Sequence, residues 1–163
     1  MAKKKKASKA AAKKAPKKTA AKRAGAKPKR AAAAASMRLT GVETGFTVGD
    51  IQKSLAFYRD VLGFAENERW DFDGRLSVVQ MAAGDVTLML GQDDWKKGRD
   101  RVKGEGFRVY CETTQNIDTL AERIKANGGA LEHEPREGWG RRSLSVTDPD
   151  GFRLTFWSKL KKA

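Results

Sequence analysis

An internal repeat constrains this chain more than any other feature: the order strand, helix, three strands occurs twice, about 65 residues apart. In the first copy a strand-like run Val42 to Val48 leads into Asp50. Ile51, Leu55, Tyr58 and Leu62 then recur at helical spacing, and Gly63 supplies the stop. Asp50 is the expected N-cap, because its carboxylate can accept from the unpaired N–H groups of the first turn. Strands are expected at Phe64 to Trp70, Arg75 to Ala82 and Val86 to Leu90, with Asp73-Gly74 and Gly84-Asp85 as hairpin loops. The second copy reads as a strand Phe107 to Glu112, a helix capped near Asn116 and a stop at Gly128-Gly129. That helix has Ile117, Leu120, Ala121 and Ile124 on one face. Strands at Ala130 to Glu134, Arg142 to Thr147 and Phe152 to Trp157 complete it. Two copies of one module predict a pseudo-symmetric α+β fold of two tandem βαβββ units.

Charge divides the chain differently from the repeat. Fourteen of the 34 Lys and Arg fall between Met1 and Ser36, where there is no Asp or Glu; the other 20 are matched by 20 acidic residues. The net charge of +14 therefore belongs to the tail, and residues 37–163 are neutral. With no large apolar side chain after Met1 to bury, residues 1–36 are expected to stay disordered. The tail resembles in composition those of linker histones and bacterial histone-like proteins. Its candidate nucleic-acid residues are Lys3, Lys4, Lys5, Lys6, Lys13, Lys14, Lys17, Lys18, Lys22, Arg23, Lys27, Lys29 and Arg30, which would neutralise phosphates of DNA or RNA without reading sequence. A solubilising arm and an optional extension ahead of a second start at Met37 are the alternatives. About 125 residues then remain for one core, enough to fold without disulfide or metal staples.

A lone cysteine, Cys111, has no partner for an internal disulfide and fits a reducing, cytoplasmic setting. No apolar run approaches the length of a membrane span, and the N-terminal stretch lacks the apolar centre of a secretory signal.

Particular residues within the repeat point to a family. The string Val48-Gly49-Asp50, followed by Ser54 to Phe64, closely resembles the first module of the vicinal-oxygen-chelate superfamily of glyoxalases, bleomycin-resistance proteins and ring-cleaving dioxygenases. Asp148-Pro149-Asp150-Gly151 resembles its closing turn, and Trp139-Gly140 resembles the bleomycin-resistance branch. The resemblance covers residues 37–158 and implies a mixed sheet curled around a cleft, with the opposite sheet faces packed on the helices. It also implies a homodimer.

Strand alternation separates the two faces. Val42, Phe46, Val48, Val86, Leu88, Leu90, Phe107, Val109, Cys111, Phe152, Leu154 and Phe156 form the expected helix-facing set. The opposite parity, with the Trp139 turn, gives the candidate ligand-binding residues Glu43, Thr47, Met89, Arg108, Tyr110, Trp139, Thr155 and Trp157, with Ser143 and Ser145 beside them. Metal-dependent relatives use His, Glu or Gln on the first, fourth, fifth and eighth strands, positions that correspond here to Glu43, Thr87, Arg108 and Thr155. Only Glu43 is a good ligand for a divalent ion. No metal or other cofactor is therefore expected, and Arg108, from the same chain or from a dimer partner, is the expected ion-pair partner of Glu43.

The remaining features are weaker. The single histidine, His133, is expected on the sixth strand away from the site. Asp93-Asp94 and the Asp148/Asp150 pair read as turn residues whose carboxylates serve local backbone bonds. Trp95 and the basic run Lys96 to Lys103 read as a solvated linker, with a second nucleic-acid contact as the alternative. The sequence thus predicts a small-molecule-binding protein of bleomycin-resistance type, held near nucleic acid by its tail. A metal-dependent lyase of glyoxalase or dioxygenase type and an architectural nucleoid protein are the alternatives.

Overall fold

Each module folds into its own four-stranded mixed sheet. The computed structural model of the chain describes residues 40–160; the basic tail, its residues Lys3 to Arg30 and the boundary at Met37 lie outside the described residues, as do 161–163. The first sheet comprises β1 (Thr44–Val48), β2 (Ala65–Phe72), β3 (Arg75–Ala83) and β4 (Val86–Gln92), ordered β1-β4-β3-β2. The second comprises β5 (Arg108–Glu112), β6 (Leu131–Gly138), β7 (Arg141–Thr147) and β8 (Arg153–Lys159), ordered β5-β8-β7-β6. In each, the first and last strands pair in parallel and the others antiparallel.

Local chemistry accounts for the ends of the elements. The Asp50 carboxylate accepts from Gln52 and Lys53 N–H and starts helix α1 (Ile51–Ala56). The predicted helix continues to Val61 as a π-helical turn, Phe57–Val61, in which Leu62 N–H bonds back to the Phe57 carbonyl. Asn116 caps helix α2 (Ile117–Ala126) in the same way through Asp118 and Thr119 N–H. Asp73-Gly74 and Trp139-Gly140 are two-residue hairpin loops with positive φ at both positions, the geometry that matches the right-handed twist of paired strands.

One core serves both modules. Phe46 of β1 stacks on Phe152, just before β8, at 4.5 Å between ring centroids, and Phe107 meets both rings edge-on. Tyr58, fully buried, packs against Phe46 and Phe64. Polar bonds reinforce this junction from the Asp148-Pro149-Asp150-Gly151 turn of the second module. Tyr58 hydroxyl donates to Asp148 Oδ2 at 3.1 Å, while Asp150 accepts Gly49 N–H at 2.8 Å and Ser54 hydroxyl at 3.2 Å, both in the first module. Asp148 Oδ1 accepts the local N–H groups of Asp150 and Phe152. The two carboxylates therefore do more than shape their turn: they tie together residues about 90 to 100 positions apart.

The linker is tied down as well. Asp93 is buried and bonded to Arg101 and Lys103, whose ammonium also lies over the Trp95 ring. Those two cations hold the Asp93 carboxyl well below the usual carboxylate range. The expectation of a solvated linker thus fails at Lys103, whose side chain is almost wholly buried. The sequence could not show that Asp93 had turned inward and required cations.

Three apolar assignments also fail. Val42 precedes β1 and is exposed, Val86 starts β4 at a hairpin corner and is exposed, and Phe107 is partly exposed at the end of the aromatic cluster. Strand alternation holds only where a covering helix reaches, and these residues sit at or beyond the strand ends.

Two outcomes test the junction. Burial, with Asp148 beside it, pushes the Tyr58 hydroxyl far above its ordinary value. The stability from keeping this phenol neutral is complete below about pH 10 and is lost as pH rises beyond it. Tyr58→Phe is expected to cost about 1–3 kcal/mol at neutral pH, because it leaves Asp148 Oδ2 unpaired in the interior, and to lessen the loss of stability above pH 10. Urea unfolding at pH 7 and pH 11 measures both. Gly104, at φ +66°, faces the Gly151 carbonyl so closely that an added Cβ would sit 2.3 Å from it. Gly104→Ala is expected to destabilise by about 2 kcal/mol or more, read as a fall in Tm, whereas Gly74→Ala meets no neighbouring atom and carries only the cost of its φ.

Candidate functional site

The outer face of the second sheet carries a cleft of about 540 Å³. It arises from strand register. Tyr110 on β5, Thr155 on β8, Ser145 on β7 and His133 on β6 form one row across the sheet, and Trp157, Ser143 and Arg136 continue the next. Arg108 and Arg153, paired in register, lie at one end; Arg141 and the Trp139 loop lie at the other. The intervening residues, Val109, Leu144, Val146, Leu154 and Phe156, face the core.

Within the cleft the polar groups are partly held. Ser145 and Thr155 hydroxyls bond at 2.9 Å, and the Arg141 guanidinium lies 3.7 Å from the centroid of the buried Trp157 ring. Arg153 forms an ion pair with Glu132, yet its Nε is buried with no hydrogen-bond partner. Arg108 and Arg136 form no ion pair among the described residues. Trp139 stands fully exposed on a backbone of φ 50°, a conformation that bulky residues rarely adopt and that costs about 1–2 kcal/mol.

Of the residues expected from sequence, Arg108, Tyr110, Trp139, Thr155 and Trp157 line this cleft. Glu43, Thr47 and Met89 belong to the first sheet and do not line it. The expected Glu43–Arg108 ion pair does not form within the chain. Glu43 is exposed and instead accepts from Gln80 and Thr87, because its strand and that of Arg108 belong to different sheets.

Several lining residues, among them His133, Arg136, Glu137 and Arg141, escaped the sequence reading. His133, expected away from the site, is half-buried in its wall, and Arg136 stands beside it. β6 has register shifts on both sides of His133, so Leu131 can pair with Val146 of the core while His133 and Arg136 pair with Ser145 and Ser143 of the cleft. Strict alternation cannot anticipate such bulges. Pro135, inside an edge strand, was the one available signal.

The donor set does not fit a resident divalent ion. The four aligned positions hold one carboxylate, two hydroxyls and a guanidinium, and among the described residues no three His, Cys, Asp or Glu side chains gather closely enough to share a metal. Cys111 is half-buried, and burial pushes its thiol up, away from the nucleophilic thiolate.

Comparison with known proteins agrees with this architecture. The chain is 30% identical over 129 residues to a lactoylglutathione lyase of Neisseria meningitidis, covering 76% of this chain and 91% of that protein. Among solved structures, a glyoxalase/bleomycin resistance protein/dioxygenase from Nocardioides superposes with a TM-score of 0.63 at 19% identity, covering 80% of this chain and 89% of that one. TnmS3, an antibiotic-binding protein from Streptomyces, does so with a TM-score of 0.60 at 21% identity, covering 76% and 99%. The family model of the glyoxalase/bleomycin resistance protein/dioxygenase superfamily matches residues 41–156, so nearly the whole described region is accounted for, and the chain belongs to that superfamily.

Proposed function

We propose that this protein is a ligand-binding member of its superfamily that holds a small or medium-sized molecule in the cleft of the second sheet without a resident metal. One observation carries the reading: the cleft is walled by Trp139, Trp157, Tyr110 and four arginines, and its single imidazole, His133, and single carboxylate, Glu137, fall short of the cluster of donors that metal chemistry needs. The fold shared with an antibiotic-binding protein supports it. The retained strain at Trp139 does so too, since an exposed aromatic ring on a costly backbone is best explained by something the ring contacts.

A second reading, a lyase, is favoured by the 30% identity to a lactoylglutathione lyase. Metal analysis of purified protein combined with a thermal-stabilisation screen separates them. The binding reading expects no stoichiometric metal and a ligand that raises Tm and quenches Trp157, with stabilisation of about 2.7 kcal/mol at a hundredfold excess over Kd. Trp139→Asn is then expected to weaken that ligand about tenfold while leaving Tm equal or higher, because Asn tolerates the left-handed backbone. Stoichiometric metal that is lost in Glu43→Ala would establish the lyase instead.

The tail completes the proposal. Its 14 positive charges without a single negative one suit non-specific binding to nucleic acid, tethering a cytoplasmic, nucleoid-associated homodimer. Affinity for random duplex DNA is expected to fall steeply with salt, to be indifferent to base sequence and to vanish in a protein starting at Met37 that retains ligand binding. Filter binding at two salt concentrations checks the DNA terms, and light scattering the dimer. Equal DNA affinity of the two proteins would move the function to the folded domain.

A further inference from the structure

The cleft also carries information about the charge of what it holds. Four arginines, Arg108, Arg136, Arg141 and Arg153, line it against a single carboxylate, Glu137, whose nearest cation is Arg142 outside the cleft at 3.6 Å. Arg108 and Arg153 are neighbours in register on adjacent parallel strands, about 4.8 Å apart by the ordinary strand spacing, and only Arg153 has a carboxylate partner. Like charges directly opposite on a sheet repel. Elsewhere in this domain many cations are partnered, Arg142 with Asp118, Arg101 and Lys103 with Asp93, Lys159 with Glu112, while others such as Lys53, Arg75 and Lys97 stand singly on the surface. In the cleft three of the four gathered arginines, Arg108, Arg136 and Arg141, form no ion pair among the described residues. The fourth, Arg153, keeps a buried Nε–H with nothing to donate to among the described residues, a group that costs about 1–3 kcal/mol when left unpaired.

Between these cations lie flat surfaces. Trp157 is buried under Arg141, and Tyr110 and Trp139 are exposed on either side. A cleft of about 540 Å³ is sized for a small molecule and is far smaller than a folded macromolecule needs. We infer that the occupant is a planar aromatic or conjugated anion, whose carboxylate, sulfonate or phosphate group meets the Arg108/Arg153 end while its ring lies against Trp157 and Tyr110. A guanidinium suits such groups because its fixed N–H fork matches their oxygens. This inference rests on the ligand-binding reading and adds the ligand's charge to it.

The test uses three isosteric probes: 2-naphthoate, 2-naphthamide and 2-naphthylmethylammonium. Each is titrated into the full chain at one fixed ionic strength, with binding read from Trp157 quenching and calorimetry. Naphthoate is expected to bind about tenfold more tightly than the amide, and the ammonium more weakly than either. In the variant Arg108→Gln, naphthoate is expected to lose most of its advantage over the amide. The unchanged tail cancels in this comparison. Arg108 lies on an exposed position without an ion pair among the described residues, so the variant is expected to keep its Tm. Equal affinity of the three probes, or preference for the ammonium, overturns the anionic assignment while leaving the ligand-binding reading intact. No saturable binding by any probe overturns both. A single-stranded oligodeoxynucleotide that displaces naphthoate from the Met37-start protein at lower concentration would assign the cleft to nucleic acid instead.

Discussion

Everything in the second sheet depends on two carboxylates in one turn. Asp148 and Asp150 reach from the second module into the first, where Tyr58, Ser54 and the Gly49 N–H donate to them. Asp148 is buried, and burial raises its carboxyl above the ordinary range even though Phe152, Asp150 and Tyr58 donate to it. Such a network stabilises only when every member is satisfied; with one donor gone, the remaining charge becomes a liability. The stacked Phe46 and Phe152 rings lie beside it and exclude water. Because one face of each sheet is used up in this shared core, the opposite face of β5 to β8 is left open as the cleft.

The inter-module linker serves the same junction from another side. Asp93 collects Arg101 and Lys103, Lys103 and Arg99 cover Trp95, and Gly104 lies against the Gly151 backbone of the closing turn. A basic run that reads in sequence as a solvated surface is therefore consumed in part, at Arg101 and Lys103, while Lys96, Lys97 and Arg99 stay exposed. In the cleft, by contrast, Arg108 and Arg136 have no ion-pair partner among the described residues, and only Arg153 is matched, by Glu132.

Relatives in the superfamily share the fold across different chemistries, so fold alone does not choose among them. What chooses is the side-chain set on the outer sheet face. Glu43 is the only good metal donor at its four aligned positions, and its carboxylate is engaged by Gln80 and Thr87 on the first sheet. Aromatic rings and guanidinium groups, by contrast, converge on the second.

The sequence alone determined the repeat, the caps at Asp50 and Asn116, the hairpin loops and most of the cleft-facing strand residues. Each follows from interactions among near neighbours: a carboxylate and the next N–H groups, two positive φ angles in a loop, a period of two along a strand. It also located the charge in the tail, since charge is a property of composition. Only the tertiary structure decided which residues share one cleft. Glu43 and Arg108 have the same parity but lie on different sheets, and no local rule reports that distance. The bulges that turn His133 and Arg136 inward depend on how β6 pairs with β7, and the burial of Asp93 and Lys103 depends on where the linker lands. Those are long-range contacts, fixed by the packing of the whole domain rather than by the order of its residues.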